Sequence, residues 1–260
     1  MKTVTETITP DMASAWLAKN TNNRNISINL LQKYVRTIEA GEWTLTHQGI
    51  AFYDDGTLAD GQHRLTAIVK SGISVLMQVS YGVARNAGAD IDVHRARDAS
   101  DCVKIGQLSD WVNKDAIAIT RIVSVNGDKL TTREIVRICE KHREDYQFVM
   151  RLFTARKRFI TASPIMGAVV LARIAGVAHH NLARFVSCLV SGMIDGKHES
   201  AAIRLREYCM TCSGSAHAGR TGRQEMCLRA QRAIKAFADG QSISKLILPS
   251  APIYPLLEKD

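Results

Sequence analysis

The chain has 260 residues, of which 46% are hydrophobic and 23% are charged, and this composition is typical of an ordinary water-soluble globular protein. No apolar run approaches the roughly 18 residues needed to span a bilayer, and the polar N-terminus has no secretory signal. We therefore expect a cytoplasmic protein with no membrane partner. The six cysteines are scattered through a long chain, which favours reduced core thiols over a disulfide framework.

The net charge of +9 is concentrated in the C-terminal part of the chain. Residues 1–150 hold 18 basic and 18 acidic residues, whereas residues 151–260 hold 16 basic and 7 acidic residues, so the difference of 9 lies entirely there. Such an asymmetry favours a polyanion-binding half joined to a neutral half. A solvated helical surface that happens to be basic is the alternative interpretation.

The first hundred residues predict a small α+β fold. A short helix begins at the capping residue Thr9, a polar loop covers 20–25, and a second helix runs from the cap Ser27 to Gly41. The next predicted elements are short strands near Ile50, Phe52 and Leu58 around the turn Asp54-Asp55-Gly56, a helix over 62–70 ending at Gly72, and a strand over 74–81.

The rest of the chain predicts helices without strands. The expected helices cover roughly 98–105, 108–125, 131–142, 145–156, 162–176, 179–192, 198–211 and 221–238. Three prolines in the last twenty residues predict an extended tail packed on the helices. We therefore predict an α+β domain over 1–98 followed by a larger helical domain over 99–260.

The segment Asp60-Gly61-Gln62-His63-Arg64 is placed between the predicted hairpin and the helix over 62–70. A strand-to-helix turn of this kind presents backbone N–H groups and the positive end of the helix dipole to an anion. Arg64 suits bidentate phosphate contact. His63 suits proton transfer or a further phosphate oxygen, and the alternative is a capping or packing histidine. Gly61 allows close approach, and Asp60 is either a base, a magnesium ligand through water, or a helix cap.

These residues, with Leu65-Thr66-Ala67 after them, resemble the nucleotide-binding motif of the ParB/sulfiredoxin-like superfamily. The flanking residues Asn22 and Arg24, the stretch Gly41-Glu42-Trp43, and Asp92 with Arg95 and Arg97 are similar to a ParB-like group common in phages and mobile elements. The resemblance covers about residues 20–105 well and the helical remainder loosely. Gln62 replaces both the catalytic cysteine of sulfiredoxins and the ParB glutamate.

The resemblance implies a nucleoside triphosphate, CTP or ATP, bound with Mg²⁺ in a ParB/sulfiredoxin-like α+β fold. Its binding residues would be Gly61, Gln62, His63 and Arg64 in the motif, together with Asn22, Arg24, Arg95 and Arg97. For the last four residues, polar contacts at the joint between the two domains are the alternative. The alternative is an enzyme of phosphate chemistry, a nuclease, nucleotidase or kinase, with Asp60 and His63 as its acid–base pair. A homodimer is a further expectation.

The basic half supplies candidate DNA contacts, namely Arg156, Lys157, Arg158, Arg220, Arg223, Arg229 and Arg232. If they face a duplex, binding weakens steeply with salt because each neutralised phosphate releases counterions. Cys209 and Cys212, with His217 and Cys227 nearby, form an incomplete zinc pattern, so no metal site is predicted from them. The expected function is nucleotide-dependent DNA binding through the helical domain.

Overall fold

The computed structural model describes residues 1–20, 23, 25–89, 98–154, 157–211 and 219–258. The fold is α+β: within these residues there is one four-stranded mixed sheet and there are eleven α-helices. The chain divides into two compact units, residues 1–96 and 97–260, and the boundary predicted from the sequence was between 98 and 99.

The first unit contains the sheet. Its strand order is β1-β4-β2-β3, in which β1 and β4 are antiparallel, β4 and β2 are parallel, and β2 and β3 form an antiparallel hairpin. The elements are β1 (Lys2–Ile8), α1 (Pro10–Leu17), α2 (Ile28–Glu39), β2 (Ile50–Tyr53), β3 (Leu58–Asp60), α3 (Gln62–Ser71) and β4 (Val75–Val83), followed by a short 3₁₀ helix over Arg85–Ala89.

Strand β1 was not predicted from the sequence. Its register with β4 pairs Ile8 with Val75 and Lys2 with Tyr81. Val4 and Ile8 turn toward the core while the intervening threonines are exposed, so the alternation expected of a half-buried strand is present. It is inconspicuous because only two apolar residues mark the buried face.

Helix α3 lies centrally among the helices of the first unit and contacts both α1 and α2. The core between helices and sheet contains the fully buried side chains Ile8, Ile50, Leu65, Ile68 and Met77. Burial of these side chains fixes the start of α3 against the strands, and the motif 60–64 is located at that start.

The second unit contains all of the remaining helices. They are α4 (Ala99–Ile105), α5 (Lys114–Val123), α6 (Thr132–Lys141), α7 (Arg143–Leu152), α8 (Ser163–Ile174), α9 (His179–Ser191), α10 (Ser200–Thr211) and α11 (Gly219–Ala238), with short 3₁₀ helices over Gly127–Lys129 and Lys197–Glu199. Helix α8 is apolar on every side and is the central helix, in contact with α5, α7, α9 and α11.

Local capping signals explain several of the helix boundaries. Thr131 and Glu134 form the predicted capping box at the start of α6. The largest difference concerns α5, which was predicted from 108 but begins at Lys114. The reason is Asn113, whose side-chain oxygen accepts hydrogen bonds from the backbone N–H groups of Asp115 and Ala116 and starts the helix there.

The C-terminal segment packs on the helical unit, as the prolines predicted. The buried Gln231 of α11 accepts backbone hydrogen bonds from Ile253 and Tyr254 at 2.8 and 3.1 Å. Leu257 then donates to the carbonyl of Val123 and accepts from the N–H of Val125. These four hydrogen bonds attach the segment to α11 and to residues at and just after the C-terminal end of α5.

Candidate functional site

The motif 60–64 lies at a strand-to-helix turn, as predicted. Strand β3 ends at Asp60, and α3 begins at Gln62. Between them Gly61 adopts a φ of +107°, a conformation that side chains with a Cβ rarely adopt. A Cβ at this position would also lie 2.5 Å from Cδ1 of the buried Ile50, so the turn requires glycine for both backbone and packing reasons.

Asp60 and Arg64 form an ion pair across the turn. One Asp60 oxygen accepts from the Gly61 N–H at 2.6 Å, and the other lies 3.3 Å from Nη1 of Arg64. The same Nη1 donates to the carbonyl of Gly49 at 3.0 Å. Nε and Nη2 of Arg64 make no hydrogen bond within the described residues, so one edge of the guanidinium is fixed while the other is not used.

Gly49 holds the carbonyl that positions Arg64. It precedes β2, and a Cβ at Gly49 would lie 1.8 Å from the carbonyl oxygen of Gln78 in β4. Only glycine permits this close approach of two backbones. Gly49 and Gly61 therefore both permit the close backbone packing beside which the Arg64 side chain is anchored.

Gln62 and His63 are buried and connect α3 to the loop between α1 and α2. Gln62 Oε1 accepts from the side-chain amide of Asn20 at 3.0 Å, and His63 Nε2 accepts from the backbone N–H of Ser27 at 2.9 Å. The acceptor role of Nε2 places the proton of a neutral imidazole on Nδ1. A nitrogen already engaged in this way is poorly placed for proton transfer to a substrate.

Sequence reasoning missed the residues that hold this loop. Asn23 donates to Asn20 at 2.6 Å and to the carbonyl of Leu58 at 3.0 Å, so the loop, strand β3 and Gln62 form one hydrogen-bonded corner. The asparagine-rich composition of 20–25 identified a loop, but nothing in the composition indicated that its amides pair with the motif. Asn20, Asn23 and Ser27 are therefore additions to the candidate site.

Several predicted site residues lie outside the described part of the chain. They are Asn22, Arg24, Arg95, Arg97 and Arg156, and Asp92, Cys212 and His217 lie outside it as well. The motif residues Asp60 to Arg64 are together at the start of α3. In the helical unit, the described candidates are divided between the α7–α8 connection and α11.

The α7–α8 candidates are exposed. Lys157 donates through Nζ to the carbonyl of Val190 at 2.7 Å and so satisfies the C-terminal end of α9. The guanidinium of Arg158 stacks over the ring of Phe159 at 4.7 Å. Both side chains keep contact with solvent while part of each is held by the protein.

The four arginines of α11 do not share one face. Arg220 and Arg223 are exposed, whereas Arg229 and Arg232, each nine residues further on, lie about 180° around the helix axis. Arg229 stacks on Tyr208 at 4.6 Å and donates to the carbonyl of Leu246. Nε of Arg232 is buried. The second pair is therefore part of the packing of the helical unit.

The described residues contain no group of three histidine, cysteine or acidic side chains arranged to hold a metal ion. Cys209 is buried, with its sulfur 4.0 Å from that of Met226. Burial raises the pKa of the Cys227 thiol to about 11, so it is protonated at neutral pH. Among the helices of the described residues, every one is too short or too polar to cross a membrane.

Comparison of the chain with protein-family models, with curated proteins and with solved structures found no match.

Proposed function

We propose that this chain is a ParB-like nucleotide-binding protein, encoded by a phage or mobile element, that binds DNA through its helical unit. The observation that carries the nucleotide site is Arg64. Its Nη1 is held by Asp60 and by the Gly49 carbonyl, while Nε and Nη2 make no hydrogen bond in the described part of the chain. A guanidinium fixed in this way presents its second edge as a fork for two phosphate oxygens.

The backbone at the same turn supports the same ligand class. Helix α3 begins at Gln62 after the N-cap residue Gly61, and no described side chain caps its N-terminus. The N–H groups of a first helical turn and the helix dipole favour a negative charge at this position.

The Asp60 carboxylate lies beside this position, with 30% of its side chain exposed. A bare phosphate would be repelled by it, so we propose CTP or ATP accompanied by Mg²⁺, with Asp60 as the residue that would hold the metal through water. Gln62 and His63 are assigned the positioning of the loop from Asn20 to Ser27, because both are buried and bonded to that loop.

The charge distribution supports DNA as the partner of the helical unit. The whole net charge of +9 belongs to residues 151–260, and Arg158, Arg220 and Arg223 carry exposed guanidinium groups there. Phosphate neutralisation by such groups supplies most of the non-specific affinity for DNA. We propose that nucleotide at the motif biases how the helical unit binds DNA.

Isothermal titration calorimetry of the full chain with CTP and with ATP, each with Mg²⁺ and with or without duplex DNA, tests the nucleotide site. Arg64→Gln should weaken nucleotide binding by about 10-fold to 100-fold, the range for loss of a charge-assisted hydrogen bond. The matched control is Lys70→Gln, which removes the same charge from the last turn of α3 and should leave the affinity unchanged.

Arg64 also bonds to Asp60 and Gly49, so its replacement by Gln affects stability as well as binding. Arg64→Lys keeps the charge but lacks the planar fork, and it separates these effects. If Arg64→Lys and Arg64→Gln both bind nucleotide as the wild type does, or if the wild type binds neither nucleotide, the proposed site is wrong.

A further inference from the structure

Two adjoining cavities in the helical unit are lined by basic side chains that sequence reasoning did not bring together. The first has a volume of about 160 Å³ and lies between α5 and α11, with Arg121, Arg220 and Arg223 in its wall. The second has a similar volume of about 160 Å³ and lies between α4 and α5, with Lys114 in its wall. We refer to the two together as the α5 groove.

Arg121 and Ala118 line both cavities, so the two are contiguous along one side of α5. The groove has four basic side chains in its wall and two acidic ones, Asp98 and Asp128, which leaves a net charge of +2. Arg220 pairs with Asp128 at 3.0 Å, and Lys114 lies 3.8 Å from Asp98.

The two remaining arginines of the groove, Arg121 and Arg223, have no acidic partner among the described residues. Arg121 and Arg223 are exposed, and neither makes an ion pair or a side-chain hydrogen bond within the described residues. They approach the first cavity from different helices. Two guanidinium groups facing one small cavity repel each other, and an anion between them would remove that repulsion and accept hydrogen bonds from both.

The size of the cavities indicates what kind of anion fits. Pockets for cofactors and drug-sized ligands usually enclose about 300–1,000 Å³, so a volume of about 160 Å³ is too small for a complete nucleotide. It suits a phosphate group. Two such cavities in succession, with an arginine shared between them, match a polymer in which phosphates repeat.

We propose that the α5 groove binds consecutive backbone phosphates of duplex DNA, with Arg121 as its central contact. This inference rests on the proposed DNA-binding function and identifies the surface of the helical unit that would contact the DNA. It selects Arg220 and Arg223 from the sequence-predicted contacts and adds Arg121 and Lys114, neither of which stands in a basic cluster of the sequence. Contacts to backbone phosphates carry no sequence information directly, so no sequence preference is expected from them.

Fluorescence anisotropy of the full chain with a labelled random-sequence duplex, measured over a series of salt concentrations, tests the groove. Arg121→Gln/Arg223→Gln should lower the slope of log affinity against log salt by about 2, roughly 0.9 for each phosphate contact, and should weaken binding about 60-fold at about 0.1 M salt. Lys245→Gln is the control, since it removes an exposed positive charge outside the groove.

The results separate the groove from the DNA-binding function. If the wild type binds the duplex and the double variant binds as the Lys245→Gln control does, the groove is wrong and the function stands. If the wild type does not bind the duplex, the DNA function is wrong. The thermal midpoint with and without pyrophosphate then tests the groove as an anion site. A rise with pyrophosphate in the wild type that the double variant lacks supports a site for a small phosphate ligand. The same change in both proteins overturns it.

Discussion

Gly61→Ala should destabilise the first unit far more than Gly72→Ala, although both glycines flank α3 with positive φ. Alanine at Gly72, where φ is +67° and no other atom lies within 4 Å of the added Cβ, should cost about 1–2 kcal/mol for the left-handed backbone alone. At Gly61 the backbone cost is at least as large, because its φ of +107° lies beyond the usual left-handed region, and the added Cβ also lies 2.5 Å from Cδ1 of Ile50. Overpacking of a buried site adds about 1–3 kcal/mol.

A double variant tests the packing part of this reasoning. Ile50→Val removes the Cδ1 atom and by itself should cost about 0.5–1.5 kcal/mol. Combined with Gly61→Ala it should restore part of the loss, so the two changes couple by about 1 kcal/mol. The rescue should be incomplete, because the new Cβ would still lie 3.2 Å from the Ile50 Cα and 3.3 Å from the Gly49 oxygen.

Urea denaturation followed by tryptophan fluorescence measures these differences. Of the three tryptophans, Trp16 and Trp43 belong to the first unit and Trp111 to the second, so a Trp111→Phe background reports on the first unit alone. If Gly61→Ala and Gly72→Ala agree within about 0.5 kcal/mol, or if Ile50→Val adds its cost without rescue, the packing explanation is refuted.

Three further outcomes are expected in the helical unit. Gln231→Leu should lose about 1–3 kcal/mol and speed amide exchange at Tyr254, because the buried acceptor of the C-terminal segment is removed. Arg184 lowers the pKa of Glu199 from 4.5 to about 2. The stability that this ion pair adds to the fold is therefore complete above pH 4.5 and is lost as the pH falls toward 2. Glu199→Gln should flatten that part of a profile of thermal midpoint against pH. Burial raises the pKa of Cys139 to about 11, so iodoacetamide should modify it only after denaturation, as read by peptide mapping.

A specific result would contradict each of these three predictions. Unchanged exchange at Tyr254 would mean that the segment is held without Gln231. A profile below pH 4.5 that is the same in the wild type and Glu199→Gln would remove the ion pair with Arg184 as a source of acid sensitivity. Rapid labelling of native Cys139 at about pH 8 would contradict its burial.

The sequence predicted those elements whose signals are local. The cap at Thr9, the capping box of Thr131 with Glu134, and the turn at Gly56 each depend on residues a few positions apart, and each is confirmed in the structure. The strand-to-helix turn at Gly61 was identified for the same reason, because its signal is a glycine between two periodic patterns.

Features that depend on distant partners were not accessible in this way. Strand β1 owes its place to β4, as the bond between the hydroxyls of Thr3 and Ser80 illustrates. The pairing of Asn20 with Gln62 and the meeting of Arg121 with Arg223 likewise join residues far apart in sequence. No other basic residue lies within six positions of Arg121 in the sequence, so only packing reveals which charges lie beside it.

The position of β1 at the sheet edge has a consequence for synthesis of the chain. Ile8 pairs with Val75 and Lys2 with Tyr81, so each residue of β1 meets a partner made roughly 70 residues later. At translation rates of about 5–20 residues per second, β1 remains without its partner for roughly 4–14 s before β4 is synthesised. An unpaired strand is an aggregation hazard during that interval. The charges of Lys2 and Glu6, and the threonines between them, make β1 hydrophilic, and this opposes its aggregation before β4 is synthesised.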